Sequence, residues 1–309
     1  MSKRILVAVM TAILSITSVS AQETKEEFVQ RYNLLVNRMG YAGVGVETLL
    51  DKWEAAYPED VDMLSGKFMF YLTKSSSSSV EQLDQDKYMG QKPVLTLKDS
   101  LGNPVNYFQV TKYEDEMFGE ALTYMDKAIA LQPDALDLRY VKISSYIAYE
   151  GDSPDMATAE IISLIDYNAS QHPAWTYVGM EKVDKEVFDA SIQKLCIDLF
   201  NIGGEKCFEE FKNISERMLL YDAKNPLFLN NVGTYYLVSQ HNNKLALKYY
   251  KKVLKVQPGD MTALKNIILL SRNSRDTKLE KKYLKEVIKY TEDENEKTSA
   301  SLRLEALGK

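Results

Sequence analysis

The chain has 309 residues, of which 45% are hydrophobic and 27% charged, with a formal net charge of −6. That length makes either one elongated array or about two compact domains. An acidic balance of this size works against nucleic acid and anionic lipid surfaces as partners of the chain as a whole. With two histidines, two cysteines and neither a His-x-x-x-His nor a Cys-x-x-Cys pair, the usual spacings of a zinc site are missing.

Lys3 and Arg4 precede an apolar run from Ile5 to Val19, interrupted only by Thr11, Ser15, Thr17 and Ser18, and the run ends in the small residues Val19-Ser20-Ala21. This order predicts a secretory leader over residues 1–21, cleaved after Ala21. The alternative, a retained anchor helix, needs roughly 20 mostly apolar residues. No cysteine stands at the predicted cut, so a lipid attachment signal is missing there. The expected mature chain starts at Gln22, is exported to the periplasm or secreted, and inserts in no membrane. Loss of Lys3 and Arg4 leaves 36 basic against 44 acidic residues, a formal charge of −8.

Apolar residues at helical spacing then recur in pairs of segments. Six pairs are predicted, over 24–57, 60–131, 134–168, 184–222, 225–257 and 260–291. Leu49, Trp53 and Ala56 stand before Pro58; Val61, Leu64 and Phe68 begin the second pair, whose other half holds Ala121, Met125, Ala128 and Pro133. Tyr140, Ile143 and Ile147 are followed by Ala157, Ile161 and Leu164. Ile214, Met218 and Tyr221 precede Pro226. The clearest segment, 225–260, carries Leu229, Val232-Gly233, Tyr236, Ala246, Tyr250, Val253 and Pro258. A final pair runs from Leu264 to Tyr290, and Thr298 to Leu307 reads as a short helix capping the exposed end of the array.

The residues of 225–260 resemble the signature of the tetratricopeptide repeat family, with Leu229 where Trp is usual and one extra residue between the helices. The small Gly233 and Ala246 permit close helix approach, while Tyr236 and Tyr250 fill the space between pairs. The resemblance implies an all-α, right-handed solenoid of helix pairs, which here carries a small β-hairpin insertion read from the residues themselves. It also implies recognition of a protein or peptide ligand on the inner helices of a concave groove, where the matching positions are Asn230, Asn231, Thr234, Leu237, Lys265 and Asn266. Amide-rich walls of this kind suit an extended peptide or a sugar polymer, because asparagine both donates and accepts hydrogen bonds.

Two segments depart from the helical pattern. The second pair is split by an insertion over 75–112, opening with the serine run Ser75 to Ser79, which is expected to be mobile. Alternation on either side of Gly102-Asn103-Pro104 predicts a hairpin. An isolated hairpin is marginal in water, so Leu95, Leu97, Tyr107 or Phe108 must lean on the helices. The insertion is either an ornament or a recognition element offering a strand edge. Between the third and fourth pairs, Gln171 to Met180 carries Trp175, Tyr177 and Met180, either a recognition loop or a satellite core under a long connection.

Cys196 and Cys207 flank the turn at Gly203-Gly204 and read as a disulfide in an oxidising compartment or as two buried thiols packed as small apolar groups. Asn168 and Asn213 sit in glycosylation sequons. No nucleophile elbow, phosphate loop or dinucleotide fingerprint is present, and Glu114-Asp115-Glu116 and Glu209-Glu210 are adjacent along helices, so they splay apart. The reading is a scaffold without enzymatic activity or cofactor. The competing readings are a carbohydrate- or cell-wall-binding protein using Tyr167, Trp175 and Tyr177 as ring platforms, and an enzyme with a composite site of perturbed carboxylates.

Overall fold

A computed structural model describes residues 23–308, so the predicted leader at 1–21 lies outside the described residues. Among these, thirteen helices make up 67% of the structure, with one small three-stranded sheet. The first pair is α1 (Lys25–Met39) and α2 (Val46–Ala56). The second, α3 (Val61–Ser75) and α4 (Asp115–Leu131), is separated by strands β1 (Ser76–Gln82), β2 (Leu95–Lys98) and β3 (Pro104–Tyr113). Then follow α5 (Leu136–Glu150) with α6 (Asp155–Gln171), α7 (Lys185–Ile202) with α8 (Glu205–Tyr221), α9 (Pro226–Val238) with α10 (Asn243–Val256), α11 (Met261–Asn273) with α12 (Thr277–Tyr290), and α13 (Glu294–Ala306).

Local chemistry sets the helix ends. Thr24 and Glu27 form a reciprocal capping box at α1, and Asp60, Glu114, Asp184, Asn225, Asn242, Asp260 and Asp276 each accept a backbone N–H in the first turn that follows. The terminal helix begins at Glu294 rather than at residue 298, because the Asp293 carboxylate accepts from Asn295 N and Glu296 N. The polar stretch before 298 is thus a capped helix start.

Each helix packs on the next except α6 and α7, which the loop of residues 172–184 separates, and alternate helices meet as well: α5 on α7, α6 on α8 and α9 on α11. This succession is repeat-like, with every element touching near neighbours in the chain. The interior forms three apolar clusters. Trp53, Phe68 and Met125 lie in that of α1–α4, Ile161, Leu195 and Phe228 in that of α5–α9, and Tyr250, Leu264 and Val287 in that of α9–α13. Leu219 and Tyr236 pack against both the second and the third, making them continuous.

Close approach depends on missing side chains, within the pair α9–α10 at Gly233 and between the first two pairs, α2 on α3, at Gly66. A Cβ on Gly233 would lie 2.7 Å from the Tyr250 ring, and one on Gly66 would lie 2.8 Å from Leu50 Cδ2. Tyr250 is fully buried and its hydroxyl lies 3.2 Å from Thr234 Oγ1. Buried cations also tie helices together. Lys67 on α3 reaches Asp51 and Glu54 on α2, and Lys142 on α5 reaches Asp126 on α4 and Glu160 on α6. Burial opposes the Lys67 charge, but its two carboxylate partners raise its pKa above the ordinary lysine value. Removing one member of such a group leaves an uncompensated charge.

The serine run is not a mobile tether. It is strand β1, paired antiparallel with β3 from Ser76↔Tyr113 to Gln82↔Tyr107, in a sheet of order β1-β3-β2. Backbone pairing to the ten-residue β3 holds it, so its lack of apolar side chains is no obstacle. Both cysteines are free and buried. Burial pushes the Cys196 thiol up to about 12 and the Cys207 thiol up to about 11, which keeps both protonated.

Candidate functional site

The polar residues predicted for a groove wall are taken up inside the array. Asn231, 5% exposed, donates to Gln193 Oε1 (2.7 Å) and Ser215 Oγ (3.1 Å) and accepts from Gln193 Nε2 (3.0 Å), stitching α7, α8 and α9 together. Asn230 is buried and donates to Asp260 Oδ1 at 3.1 Å. Leu237 is buried in the cluster of α9–α13. The half-buried Thr234 and Asn266 both engage the Tyr250 hydroxyl. Lys265, though exposed, pairs with Glu296 on α13. Buried polar groups are satisfied by partners as a rule, and here the partners are neighbouring helices, with the exception of the buried Asn230 Oδ1, which has no hydrogen-bond partner among the described residues.

The loop after α6 is a satellite core. Trp175, 8% exposed, donates from Nε1 to Asn168 Oδ1 at 2.8 Å, stacks on Phe188 at 5.8 Å and meets Tyr167 at 5.7 Å. The Arg139 guanidinium covers both the Tyr167 and Trp175 rings. Thr176 is bonded through its backbone to Asp134 and Leu136, and the half-buried Tyr177 packs on the same cluster. The aromatic platforms expected for a sugar are therefore covered by protein, leaving only flanking Val178 and Met180 exposed in this loop among its large apolar residues.

A more open arrangement lies at the insertion. On β3, Phe108 and Val110 share one buried face. The loop of residues 83–94 crosses towards that face: Tyr88 meets Phe108 at 6.1 Å and Gln85 O accepts from Asn106 Nδ2 at 2.9 Å. This loop then docks on two later pairs. Gly90 (φ +73°) approaches α7 so closely that a Cβ there would lie 1.8 Å from Asn201 O, and Met89 Sδ would be 3.1 Å from a Cβ on Gly151, in the turn after α5. At the base, Tyr113 contacts Phe118 and Tyr149, which stack on each other at 4.1 Å. The Tyr149 hydroxyl donates to Asp115 Oδ1 at 2.9 Å, which raises the phenol pKa.

Between the loop, β3 and the turns after α5 and α7 is a cleft of about 720 Å³, with Gln85, Tyr88, Gln109, Thr111, Tyr149 and Gly203 among its walls. The register puts Val80 opposite Gln109, Leu95 opposite Tyr107 and Leu97 opposite Val105, so these side chains share the face opposite Phe108. Val80, Leu95 and Leu97 are 63%, 49% and 49% exposed. Leu95 and Leu97, expected to lean on the helices, instead face solvent, while Phe108 provides the anchoring. β1 and β2 each have one edge with no strand beside it among the described residues.

The titrating groups behave as structural partners. Asp166 is held below the usual carboxylate range by Arg217, Asp222 by Lys185, Glu280 by Arg303 and Glu296 by Lys265. Among the described residues no group of three or more His, Cys, Asp or Glu could hold a metal ion, and no helix is long and apolar enough to cross a membrane. The docking loop was not visible in sequence, where its only signals are the apolar Tyr88-Met89 and Gly90 within a polar stretch. The chain matches no protein-family model and no curated protein.

Proposed function

We propose that this protein is a non-enzymatic, extracytoplasmic binding scaffold of the tetratricopeptide-like, right-handed solenoid type, and that its recognition element is the inserted sheet rather than the inner helix faces. The observation that carries this reading is the exposed row of Val80, Leu95 and Leu97 on a sheet whose other face is fixed by Phe108 and Val110. Keeping a small sheet ordered while it shows apolar side chains to water costs free energy unless a partner covers them. The free edge of β2 supplies main-chain donors and acceptors for strand addition, and alternate side chains of an added strand would meet the apolar row. The ligand class is therefore an extended peptide segment with apolar residues at every second position. Export rests on the leader predicted over residues 1–21.

Selection of a random peptide library against the full chain tests this. The expected result is enrichment of peptides alternating apolar and polar residues, with binding lost when Leu95 and Leu97 are both replaced by Asp. Enrichment that survives this double substitution would transfer the site elsewhere on the array. The cleft, with its tyrosine rings and glutamine amides, would also accept a saccharide, so binding on a glycan array that is unaffected by Leu95→Asp but lost with Tyr88→Ala would replace the peptide reading.

A further inference from the structure

The net charge of −6 averages two unlike parts of the chain. Residues 225–291 contain eleven lysines and two arginines against two aspartates and two glutamates, a balance of +9, which leaves −15 on the remainder. The excess is concentrated on two helices. Lys244, Lys248, Lys251 and Lys255 stand on α10, and Lys278, Lys282, Lys285 and Lys289 repeat the same spacing 34 residues later on α12. Steps of four, three and four residues place each set on one helical face. All eight are exposed, and none makes an ion pair among the described residues. α10 has no acidic residue at all; on α12 Glu280 is buried and committed to Arg272 and Arg303, and the half-buried Glu286 is the one acid that shares the depression with Lys278, Lys281, Lys282 and Lys285.

We propose that this paired lysine face docks the protein peripherally on a membrane surface rich in anionic phospholipid. Four features favour a headgroup surface over other polyanions. α10 and α12 carry no arginine, so the face offers compact, freely rotating charges rather than planar forks for bidentate recognition. The tyrosines between the lysines lie beneath them, Tyr249 under Lys252 and Tyr283 under Lys282, so no bare ring is available to stack on a nucleobase. The face is open, with shallow depressions of about 460 Å³ on α10 and about 640 Å³ on α12 rather than a groove that would enclose a strand. The uneven division of charge also orients the molecule at a charged plane. The −15 remainder is screened beyond a Debye length of about 8 Å at physiological salt, while lysines at contact are not.

The test is co-sedimentation of the full chain with phosphatidylcholine vesicles that do or do not contain phosphatidylglycerol. Binding is expected on the anionic vesicles only and is expected to vanish at high salt. Replacing Lys248, Lys251, Lys282 and Lys285 by Glu is expected to lower the partition coefficient by at least about 100-fold, from the contribution of each basic residue near an anionic surface. The same four positions changed to Gln should give an intermediate loss, which separates charge from folding. Lys52, Lys92, Lys98 and Lys182, also exposed, when changed to Glu impose the same net charge change and should leave binding within about threefold, since these positions lie away from the surface contact. Failure to bind anionic vesicles at low salt would overturn the proposal. So would equal loss in the control variant, or retention of heparin or a second copy of the chain by the lysine face in place of vesicles. Since this face is separate from the sheet, Leu95→Asp with Leu97→Asp should leave vesicle binding intact whatever becomes of peptide binding.

Discussion

The α9–α10 pair and the α3–α4 pair are both helical hairpins, yet they solve the joining of their helices in opposite ways. In the first, four residues connect the helices and the packing is local: Gly233 opens a slot, Tyr250 fills it, and Thr234 engages the ring's hydroxyl. In the second, a whole sheet stands between the helices, and its anchoring points lie far along the chain, at Gly151 and Asn201. Regularity in the first comes from contacts a few residues to one turn-around away. Order in the second comes from long-range fit, for which local composition carries almost no signal.

The sharpest way to break this comparison is to damage the regular pair. Tyr250→Ala removes a fully buried ring and is expected to destabilise the array by about 3–5 kcal/mol, read as a fall in the denaturant midpoint. Hydrogen exchange should place the loss in α9–α12, because a stacked array transmits a defect to its neighbours first. An unchanged midpoint would mean that Tyr250 is not the keystone of this pair.

Gly90→Ala asks the same of the irregular pair. A Cβ there collides with the Asn201 carbonyl, and φ is positive, so a cost of about 1–3 kcal/mol should be relieved by undocking the loop rather than by unfolding helices. Limited proteolysis between residues 83 and 94 should accelerate while far-ultraviolet circular dichroism is retained. Loss of helicity would instead make the loop part of the folding core.

Acid provides a milder probe at the far end. Glu280 is bound by Arg303 from α13 and Arg272 from α11, and its carboxyl is held below the ordinary value. The folded carboxyl is the more acidic one, so its contribution is present above the unfolded value of about 4.3 and is lost as pH falls through the folded one. α13 should fray in that window before the rest. Glu280→Gln should reproduce the fraying at neutral pH at a cost of about 1–2 kcal/mol, seen as faster amide exchange in α13.

The smallest effect is expected in the serine strand. Ser78→Ala removes only a hydroxyl contact with Thr111 Oγ1 and should change stability by less than about 0.5 kcal/mol. A large loss would show that the serine side chains, and not the β3 backbone, hold β1 in place.

Much of the helical layout was legible because its causes are short-range. The apolar spacings mark most helices to within a few residues, and the structure adds the caps that fix their starts, such as Asp60, Asn225, Asp260 and Asp276. The site was not. Asn230 and Asn231 look like ligand-facing amides in sequence, but their hydrogen bonds go to Asp260, Gln193 and Ser215, partners that only folding brings together. A run of serines reads as a flexible linker because its strand propensity is supplied by the partner strand. The whole-chain charge leaves out local detail for a simpler reason, since a sum of −6 contains a region of +9.

The docking of Gly90 against α7 carries a mechanical consequence. A succession of packed helices yields to tension as neighbouring helices slide a little on one another. Here the insertion of the second pair reaches the third at Gly151 and fastens on the fourth at Asn201, forming a clasp across three helix pairs. Stretching the molecule by its ends would leave that clasped span nearly rigid, and the extension would fall on the helices beyond α8, where no such bridge exists among the described residues. Under such a load the sheet, carried on the clasped span, would keep its shape while the cationic end moved.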